Sequence, residues 1–263
     1  GSDRSLHVAV AGVLSPQATL QSYQGLVTYL GDRLGRPAQL VERRTYAEIN
    51  DLIRSGQADI GLICGGAYVE GQRRFGMELL AAPQIEGQTI YYSDIIVPSG
   101  SQATSLADLQ GKRFAFTDPL SNSGQLAPAY ALMQLGATPE RFFSQYTLTY
   151  SHDTSIQAVA EGVVDGAAVD SLVYEALARS NSVLIARTRI IERLGPYGIP
   201  PVVVRPGLDP ELKARFRQTL LGMAGDPRGR AVLAQLGVDR FVDLSDAAYD
   251  SIRRMAEQVR WTR

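Results

Sequence analysis

Short apolar runs alternate with longer amphipathic segments along the chain. The segments between the runs have helical periodicity, and strands that alternate with helices are typical of parallel sheets with crossover helices. The pattern therefore predicts an α/β fold with mixed, mainly parallel sheets. Four of the apolar runs are bounded by turn residues and predict buried strands: His7–Ala11, Ile60–Ile63, Arg113–Thr117 and Gly166–Val169.

The two halves of the chain resemble each other at one fixed offset. Ser121 lies 106 positions after Ser15, and both serines follow a leucine. The same shift aligns Gly56–Asp59 with Gly162–Asp165. A repeat of this length has the size of a domain, and 263 residues are enough for about two domains. The sequence therefore predicts two similar α/β lobes.

Two long β-prone segments, Ile90–Val97 and Tyr197–Val204, are predicted to carry the chain between the lobes. We expect residues 1–93 and 202–263 to form lobe 1, and residues 94–201 to form lobe 2. Two connecting strands make a hinge, and a ligand is expected to bind in the cleft beside it and to favour closure.

The tail after the second crossing shows helical periodicity and no strand pattern. We expect it to pack on lobe 1. Its predicted helices are Pro210–Gly222, Arg228–Gln235 and Ser245–Val259.

Composition narrows the class of protein. The chain is 45% hydrophobic and 20% charged with a formal net charge of −1, which argues against a nucleic-acid surface. No apolar run approaches the ~20 residues that a membrane span needs. The single cysteine excludes an internal disulfide. Gly1-Ser2 resembles a cloning remnant, so we expect that a secretion signal has been removed.

The segment Ser121-Asn122-Ser123-Gly124 follows the third predicted strand and opens a helix that is expected to run to Gly136. The N–H groups at a helix start lack intrahelical partners and lie at the positive end of the helix dipole. Together with hydroxyl and amide side chains they can bind an anion. The same residue types are also ordinary helix N-caps. This segment alone leaves both interpretations open.

These features resemble the PhnD-like periplasmic proteins that bind phosphonate, phosphite or phosphate for ABC importers, a branch of the type II solute-binding fold. The resemblance covers nearly the whole chain. It implies a periplasmic, monomeric protein without a cofactor, whose partners are a small oxyanion and an ABC permease. Its marks are the two Gly-x-x-Asp turns, Tyr68, the segment Tyr91–Ser93, Ser121–Gly124 followed by Pro128, and Ser151-His152.

The resemblance also implies a set of ligand contacts. In the family a serine- or threonine-rich helix start, a histidine at the place of His152, and tyrosines at the places of Tyr46 and of Tyr91 or Tyr92 hold the oxyanion. Neighbouring residues of a strand point to opposite faces, so one of the adjacent tyrosines is expected to pack away from the ligand. As a donor, His152 is expected to sense ligand protonation near neutral pH.

The 106-residue shift supports this site, because it pairs residues that follow predicted strand ends in the two lobes. Tyr46 is paired with His152, and Cys64 with Asp170. Strand ends are the edge at which open α/β sheets bind ligands. The resemblance and the shift together imply these candidate ligand-binding residues: Ser15, Tyr46, Cys64, Tyr91, Tyr92, Ser121, Asn122, Ser123, Gly124, His152 and Asp170.

Two departures from the family bear on the ligand. Gly198–Pro201 offers no carboxylate for an ammonium group and leaves Asp170 as the nearby candidate, which argues against an ammonium-bearing ligand. Cys64 stands where the family commonly has an apolar turn residue. A cysteine at a strand end is often a small buried hydrophobe, but a thiolate also suits a soft metalloid.

Cys64 keeps an alternative function open, a periplasmic arsenite sensor that signals to a histidine kinase and binds arsenic through this thiol. A further alternative is an enzyme on the same fold, with Cys64 and His152 as nucleophile and base. No third orienting residue and no metal-ligand spacing accompanies them. A non-enzymatic oxyanion-binding protein of an importer is the favoured interpretation, and a metal ligand is expected only if Cys64 binds arsenite.

Overall fold

The computed structural model of the protein describes residues 5–11 and 16–261. Within these residues the chain divides into two compact units. Unit 1 contains residues 5–11, Pro16–Thr89 and Gly198–Tyr249, and unit 2 contains Ile90–Tyr197 and residues 250–261.

Strands and helices alternate in both units, as the sequence predicts. The strands are β1 (Leu6–Ala11), β2 (Ala38–Arg43), β3 (Ile60–Leu62), β4 (Glu78–Gln84), β5 (Ile90–Pro98), β6 (Arg113–Phe116), β7 (Gln145–Leu148), β8 (Gly166–Asp170), β9 (Thr188–Gly198), β10 (Val202–Val204) and β11 (Arg240–Val242). The α-helices are α1 (Pro16–Leu34), α2 (Tyr46–Arg54), α3 (Gly65–Phe75), α4 (Ala127–Gln134), α5 (Pro139–Phe142), α6 (His152–Ala160), α7 (Ser171–Ser180), α8 (Ser182–Ile185), α9 (Pro210–Gly222), α10 (Pro227–Leu236) and α11 (Asp250–Trp261).

Each unit contains one mixed sheet. The order in unit 1 is β11-β4-β10-β3-β1-β2, with β1 parallel to β2 and β3. There β10 is antiparallel to β3 and β4, and β11 is antiparallel to β4. The order in unit 2 is β7-β6-β8-β5-β9, with β6 parallel to β7 and β8, and β5 antiparallel to β8. Mixed sheets are confirmed, although antiparallel pairs outnumber parallel ones in unit 1.

The internal repeat is visible in the backbone of both units. The Asp59 carboxylate accepts the N–H of His7 over 3.3 Å at the start of β1. The Asp165 carboxylate accepts the N–H of Arg113 over 2.8 Å at the start of β6. Both members of the second pair lie 106 positions after those of the first. The repeated Gly-x-x-Asp turn therefore ties the same two strands together in each unit.

Helices cover the apolar faces of both sheets. In unit 1, Leu30 of α1 and Phe216 of α9 pack with apolar residues of the sheet. In unit 2, Phe114 packs with Leu132 of α4 on one face, and Ile156 of α6 belongs to the core of the other face. None of the helices in the described part of the chain is long and apolar enough to span a membrane.

The unit boundaries differ from the expected lobe boundaries. The chain enters unit 2 at Ile90 and returns to unit 1 at Gly198, shortly before the expected positions 94 and 202. The last helix, α11, belongs to unit 2 rather than to the first lobe, because it packs against α4 and the helical turn that precedes α4. The helical spacing of Ile252 and Met255 predicts an apolar face on α11, and both residues are buried. Periodicity does not identify the element that covers this face.

The prediction that the tail contains only helices is wrong. Arg240–Val242 forms β11, which pairs with the end of β4 at the edge of the sheet. An edge strand of three residues is too short to show the alternation that identifies a strand. The three predicted helices are present: α9 has the predicted bounds, and α10 and α11 have shifted ends.

Candidate ligand-binding site

The candidate residues of unit 2 gather at one edge of its sheet. Thr117 follows β6, Ser151-His152 follows β7, and Asp170 is the last residue of β8, so the carboxyl ends of three parallel strands meet there. β5 runs antiparallel to β8 with Ser93 opposite Asp170, which brings the beginning of β5 to the same edge. Open α/β sheets bind ligands at this edge.

The helix that follows Ser121 does not begin as a regular α-helix. It begins with a π-helical turn, Asn122–Leu126, which precedes α4 and is called the opening turn below. The N–H groups of Leu126 and Ala127 donate to carbonyls five residues earlier, those of Ser121 and Asn122. The expected α-helix from Ser121 is therefore corrected to a π-helical turn followed by an α-helix.

Pro128 explains this opening. Proline has no N–H group, so in an α-helix the Gly124 carbonyl, four residues earlier, would have no donor. This carbonyl instead accepts the Thr117 N–H over 3.1 Å. The adjacent Ser123 carbonyl accepts the Ser93 hydroxyl over 2.6 Å. The end of β6 and strand β5 therefore hold the opening turn from outside the helix.

The opening turn presents several hydrogen-bond donors. The N–H groups of Asn122 and Ser123 precede the first helical hydrogen bonds and lie at the positive end of the helix dipole. The Ser121 Oγ accepts the Gly124 N–H over 3.0 Å, so its own proton remains available to a ligand. The Ser123 hydroxyl adds a further donor. Neutral donors at a helix start are well suited to hold an anion.

His152, the first residue of α6, is a neutral donor at the same edge. Its Nδ1 accepts the backbone N–H of Asp170 over 3.0 Å, so Nε2 carries the ring proton. Burial lowers the pKa of His152 to about 4, although Asp153 acts in the opposite direction. The expectation that His152 senses protonation near neutral pH is therefore wrong, since the buried ring stays neutral there.

The two adjacent tyrosines of β5 have different surroundings. Tyr91 is buried, and its Oη accepts a hydrogen bond from Nδ2 of Asn122 over 2.9 Å. Tyr92 lies under the guanidinium of Arg193, whose Cζ is 4.9 Å from the ring centroid. Residues that are adjacent in a strand point to opposite faces. Tyr91 is thus the tyrosine beside the opening turn, and Tyr92 packs with Arg193.

Two buried carboxyl groups lie on neighbouring strands at this edge. Asp170 is the N-cap of α7, and its Oδ1 accepts the Leu172 N–H over 2.7 Å. Burial raises the pKa of Asp170 to about 7, against the lowering effect of such backbone hydrogen bonds. Asp94, which the sequence did not single out, has a pKa raised to about 6 by burial, although Arg193 donates to it over 2.9 Å.

The raised pKa of Asp170 predicts a pH-dependent gain in stability for Asp170→Asn. In the unfolded chain this carboxyl has its ordinary pKa of 3.8, so folding stability is lost as the pH rises from there through the folded pKa of about 7. Asparagine keeps the N-cap acceptor without the buried charge. We expect the variant to be more stable than wild type by roughly 1–3 kcal/mol at about pH 8 and equally stable at about pH 4.

Urea unfolding midpoints at several pH values between these limits measure this difference. Asp209→Asn is the matched control, because Asp209 is also a helix N-cap but is exposed. The control should show no gain in stability over wild type as the pH rises, because this side chain is already in contact with solvent. A constant difference for Asp170→Asn across the range would show that folding does not raise the pKa of Asp170.

The candidate residues of unit 1 lie at the corresponding edge of its own sheet. Tyr46 follows β2 as the first residue of α2 and is fully buried. Cys64 follows β3 as the N-cap of α3, where its Sγ accepts the Ala67 N–H over 3.3 Å. Cys64 thus has the same N-cap position as Asp170, its counterpart in the repeat. Ser15 lies outside the described residues.

Two residues that support the opening turn were not among the predicted site residues. Ser93 lies on the same face of β5 as Tyr91, so the two-residue period of a strand could have identified it. Thr117 is fully buried, and a Cβ on Gly124 would lie only 1.8 Å from its Oγ1. No sequence signal marks this contact, because it depends on the π-helical turn.

Comparison with known proteins identifies the family. Residues 8–249 match the family described as ABC transporter, phosphonate, periplasmic substrate-binding protein. The chain belongs to this family. The match includes the whole of the donor-bearing edge of unit 2.

Individual relatives agree with this result. The phosphonates-binding periplasmic protein of Escherichia coli K12 is 25% identical over 259 residues, covering 97% of this chain and 76% of that protein. The phosphate-import protein PhnD of Mycolicibacterium smegmatis is 24% identical over 256 residues, covering 90% and 80%. The structure of PhnD1 from Prochlorococcus marinus in complex with methylphosphonate shares the fold, with a TM-score of 0.89, 18% identity, and coverage of 98% and 99%.

These relatives are substrate-binding proteins, a class that is not enzymatic. Within residues 5–11 and 16–261, no group of three or more His, Cys, Asp or Glu side chains is arranged to hold a metal ion.

Proposed function

We propose that the protein captures a small tetrahedral phosphorus oxyanion (phosphate, phosphite or a phosphonate) in the periplasm and delivers it to the permease of an ABC importer. The observation that carries this proposal is the donor set at the edge of unit 2. Ser121 and Ser123 offer hydroxyls beside free helix-start N–H groups, and His152 offers a neutral N–H. Several neutral donors fixed by the fold bind an anion without a counter-ion.

A ligand without an ammonium group fits this site best. The Asp170 oxygen Oδ1 already accepts the Leu172 N–H, and its raised pKa leaves the carboxyl only partly ionised at neutral pH. The Asp94 carboxylate is paired with Arg193. Neither carboxylate is therefore well prepared to bind a cation. We favour methylphosphonate, phosphite and phosphate over aminoalkylphosphonates.

Calorimetric titration of the wild-type protein tests the proposal directly. The panel is methylphosphonate, phosphite, phosphate, 2-aminoethylphosphonate and arsenite. We expect at least one of the first three to bind with micromolar or lower Kd, and 2-aminoethylphosphonate to bind more weakly. Absence of binding for all the phosphorus oxyanions would contradict the proposal.

Substitutions of Cys64 distinguish the proposed oxyanion-binding function from that of an arsenite sensor. Its Sγ serves as a helix N-cap acceptor, and nothing else in the described residues favours a metalloid site. Serine is also a good N-cap, so Cys64→Ser should change oxyanion affinity by less than about twofold and leave stability nearly unchanged. Thermal unfolding and calorimetry measure both.

The matched control is Cys64→Ala, which removes the acceptor and should cost about 1 kcal/mol of stability. Arsenite binding that disappears in Cys64→Ser would instead assign the sensor function. We propose that the protein acts as a monomer with a permease rather than with a histidine kinase.

A further inference from the structure

Only one of the two polar atoms of the Asn122 side-chain amide has a hydrogen-bond partner within the described residues. Its Nδ2 donates to the Tyr91 hydroxyl over 2.9 Å. Its Oδ1 is fully buried and has no hydrogen-bond partner within the described chain. A buried acceptor without a partner costs folding free energy, and it is retained where a ligand can satisfy it.

This oxygen belongs to the same turn as the proposed anion donors. Asn122 is the first residue of the opening turn and lies between the two serines that supply hydroxyl donors. A second oxygen, Thr117 Oγ1, is also buried without a partner in the described residues. Thr117 contacts the turn directly at Gly124. The donors of the opening turn are therefore accompanied by oxygen acceptors.

We propose that Asn122 Oδ1 accepts a hydrogen bond from a protonated oxygen of the ligand and so selects oxyanions that carry a P–OH group. The inference rests on the proposed function and deepens it, because it defines which form of the oxyanion the site takes. The hydroxyl and N–H donors bind the unprotonated oxygens, and the amide oxygen accepts a hydrogen bond from one P–OH group.

The selectivity follows from the inventory of donors and acceptors. A monoanionic phosphonate, phosphite or phosphate has oxygens that only accept and at least one hydroxyl that donates. A sulfonate or sulfate at the same pH has acceptors alone. Placed against Asn122 Oδ1, such an anion would bring two acceptors together and leave the buried amide oxygen unsatisfied. Sites that hydrogen-bond a substrate hydroxyl discriminate against analogues that lack the hydroxyl far more strongly than apolar pockets discriminate by size.

Methylphosphonate and methanesulfonate form the matched pair of probes for this test. At about pH 5.5 a phosphorus acid whose second pKa is about 6 or above keeps one proton. Both probes are then monoanions of nearly the same size, and they differ in one hydroxyl proton. We expect wild type to bind methanesulfonate roughly 10- to 100-fold more weakly than methylphosphonate in calorimetric titrations. Equal affinities would overturn the inference.

Variants of Asn122 test whether its oxygen carries the discrimination. Asn122→Leu removes the acceptor, and the affinity ratio of the two probes should fall to within about threefold of one. Asn122→Asp keeps an acceptor and should keep the ratio at or above its wild-type value. Ser93→Ala is the control, because it loosens the same turn at the Ser123 carbonyl without touching the acceptor. It should weaken both probes in parallel and leave the ratio unchanged.

The outcomes separate this inference from the proposed function. If wild type binds methylphosphonate but does not discriminate, the inference fails and the function stands. If wild type binds neither methylphosphonate, phosphite nor phosphate, the function fails and the inference falls with it. If Asn122→Leu does not fold, the wild-type ratio and Asn122→Asp still decide the question, since loss of discrimination in Asn122→Asp would contradict the acceptor role.

Discussion

Replacing both Ser121 and Ser123 with alanine is expected to weaken methylphosphonate binding by about 2–4 kcal/mol, or roughly 30- to 700-fold. Charge-assisted hydrogen bonds contribute about 1.5–3 kcal/mol each, and water partly replaces the lost hydroxyls. The Ser121 hydroxyl also caps the turn by accepting the Gly124 N–H over 3.0 Å. Its loss therefore removes a donor and loosens the geometry of the others.

Calorimetry with methylphosphonate measures this effect. A double change of Ser180 and Ser182 to alanine is the matched control, because both are exposed helical serines away from this edge of the sheet. The control should bind like wild type. Full affinity in the Ser121/Ser123 variant would exclude the helix start as the oxyanion site, while the calorimetric panel would still report whether the protein binds such ligands at all.

Much of the fold could be predicted from the sequence because its main signals are local. Apolar runs between turn residues identify the strands β1, β3, β6 and β8 within one or two residues. The shift of 106 residues identifies the duplication, since the two Gly-x-x-Asp turns repeat the same backbone hydrogen bond in each unit. The shift also pairs Cys64 with Asp170, and both prove to be helix N-caps at strand ends.

The parts that could not be predicted depend on contacts between distant residues. The amphipathic face of α11 predicts burial but does not show that α4 is its partner. The neutral state of His152 depends on burial and on the Asp170 N–H, neither of which has a sequence signal. The π-helical turn depends on two features together. Pro128 has no N–H group to donate to the Gly124 carbonyl, and the Thr117 N–H at the end of β6 donates to it instead. The proline was visible in the sequence, but the replacement donor was not.

In the candidate site, too, the features that could be predicted are local in sequence, and those that could not depend on contacts between distant residues. Ser121, Ser123 and His152 were singled out by residue type and position, and the structure brings them to one edge of the unit 2 sheet. The buried acceptors, Asn122 Oδ1 and Thr117 Oγ1, are recognisable only once the bonds around them are known. A sequence therefore predicts which groups can donate to an anion more readily than it predicts what the fold leaves unsatisfied for a ligand.

Gly124→Ala is expected to have the largest effect on the opening turn. A Cβ at this position would lie 1.8 Å from Thr117 Oγ1 and 2.8 Å from Thr117 Cβ, well inside van der Waals contact. The two residues cannot separate freely, because the Thr117 N–H donates to the Gly124 carbonyl. We expect a loss of about 2–4 kcal/mol in stability and no measurable methylphosphonate binding. Thermal unfolding and calorimetry measure the two effects.

Two further variants show whether the steric contact is the cause. Gly100→Ala should be nearly neutral, since nothing lies within 4 Å of a Cβ there and its φ is not in the left-handed region. Thr117→Ala, combined with Gly124→Ala, removes the closest atom and should recover part of the lost stability, giving a coupling of about 1–2 kcal/mol in a double-mutant cycle. If Gly124→Ala were as mild as Gly100→Ala, or if the cycle showed no coupling, Thr117 would not be packed on the turn. The π-helical form of the turn would then result only from the missing N–H group of Pro128. The ligand donors at Ser121 and Ser123 would keep their geometry without Thr117.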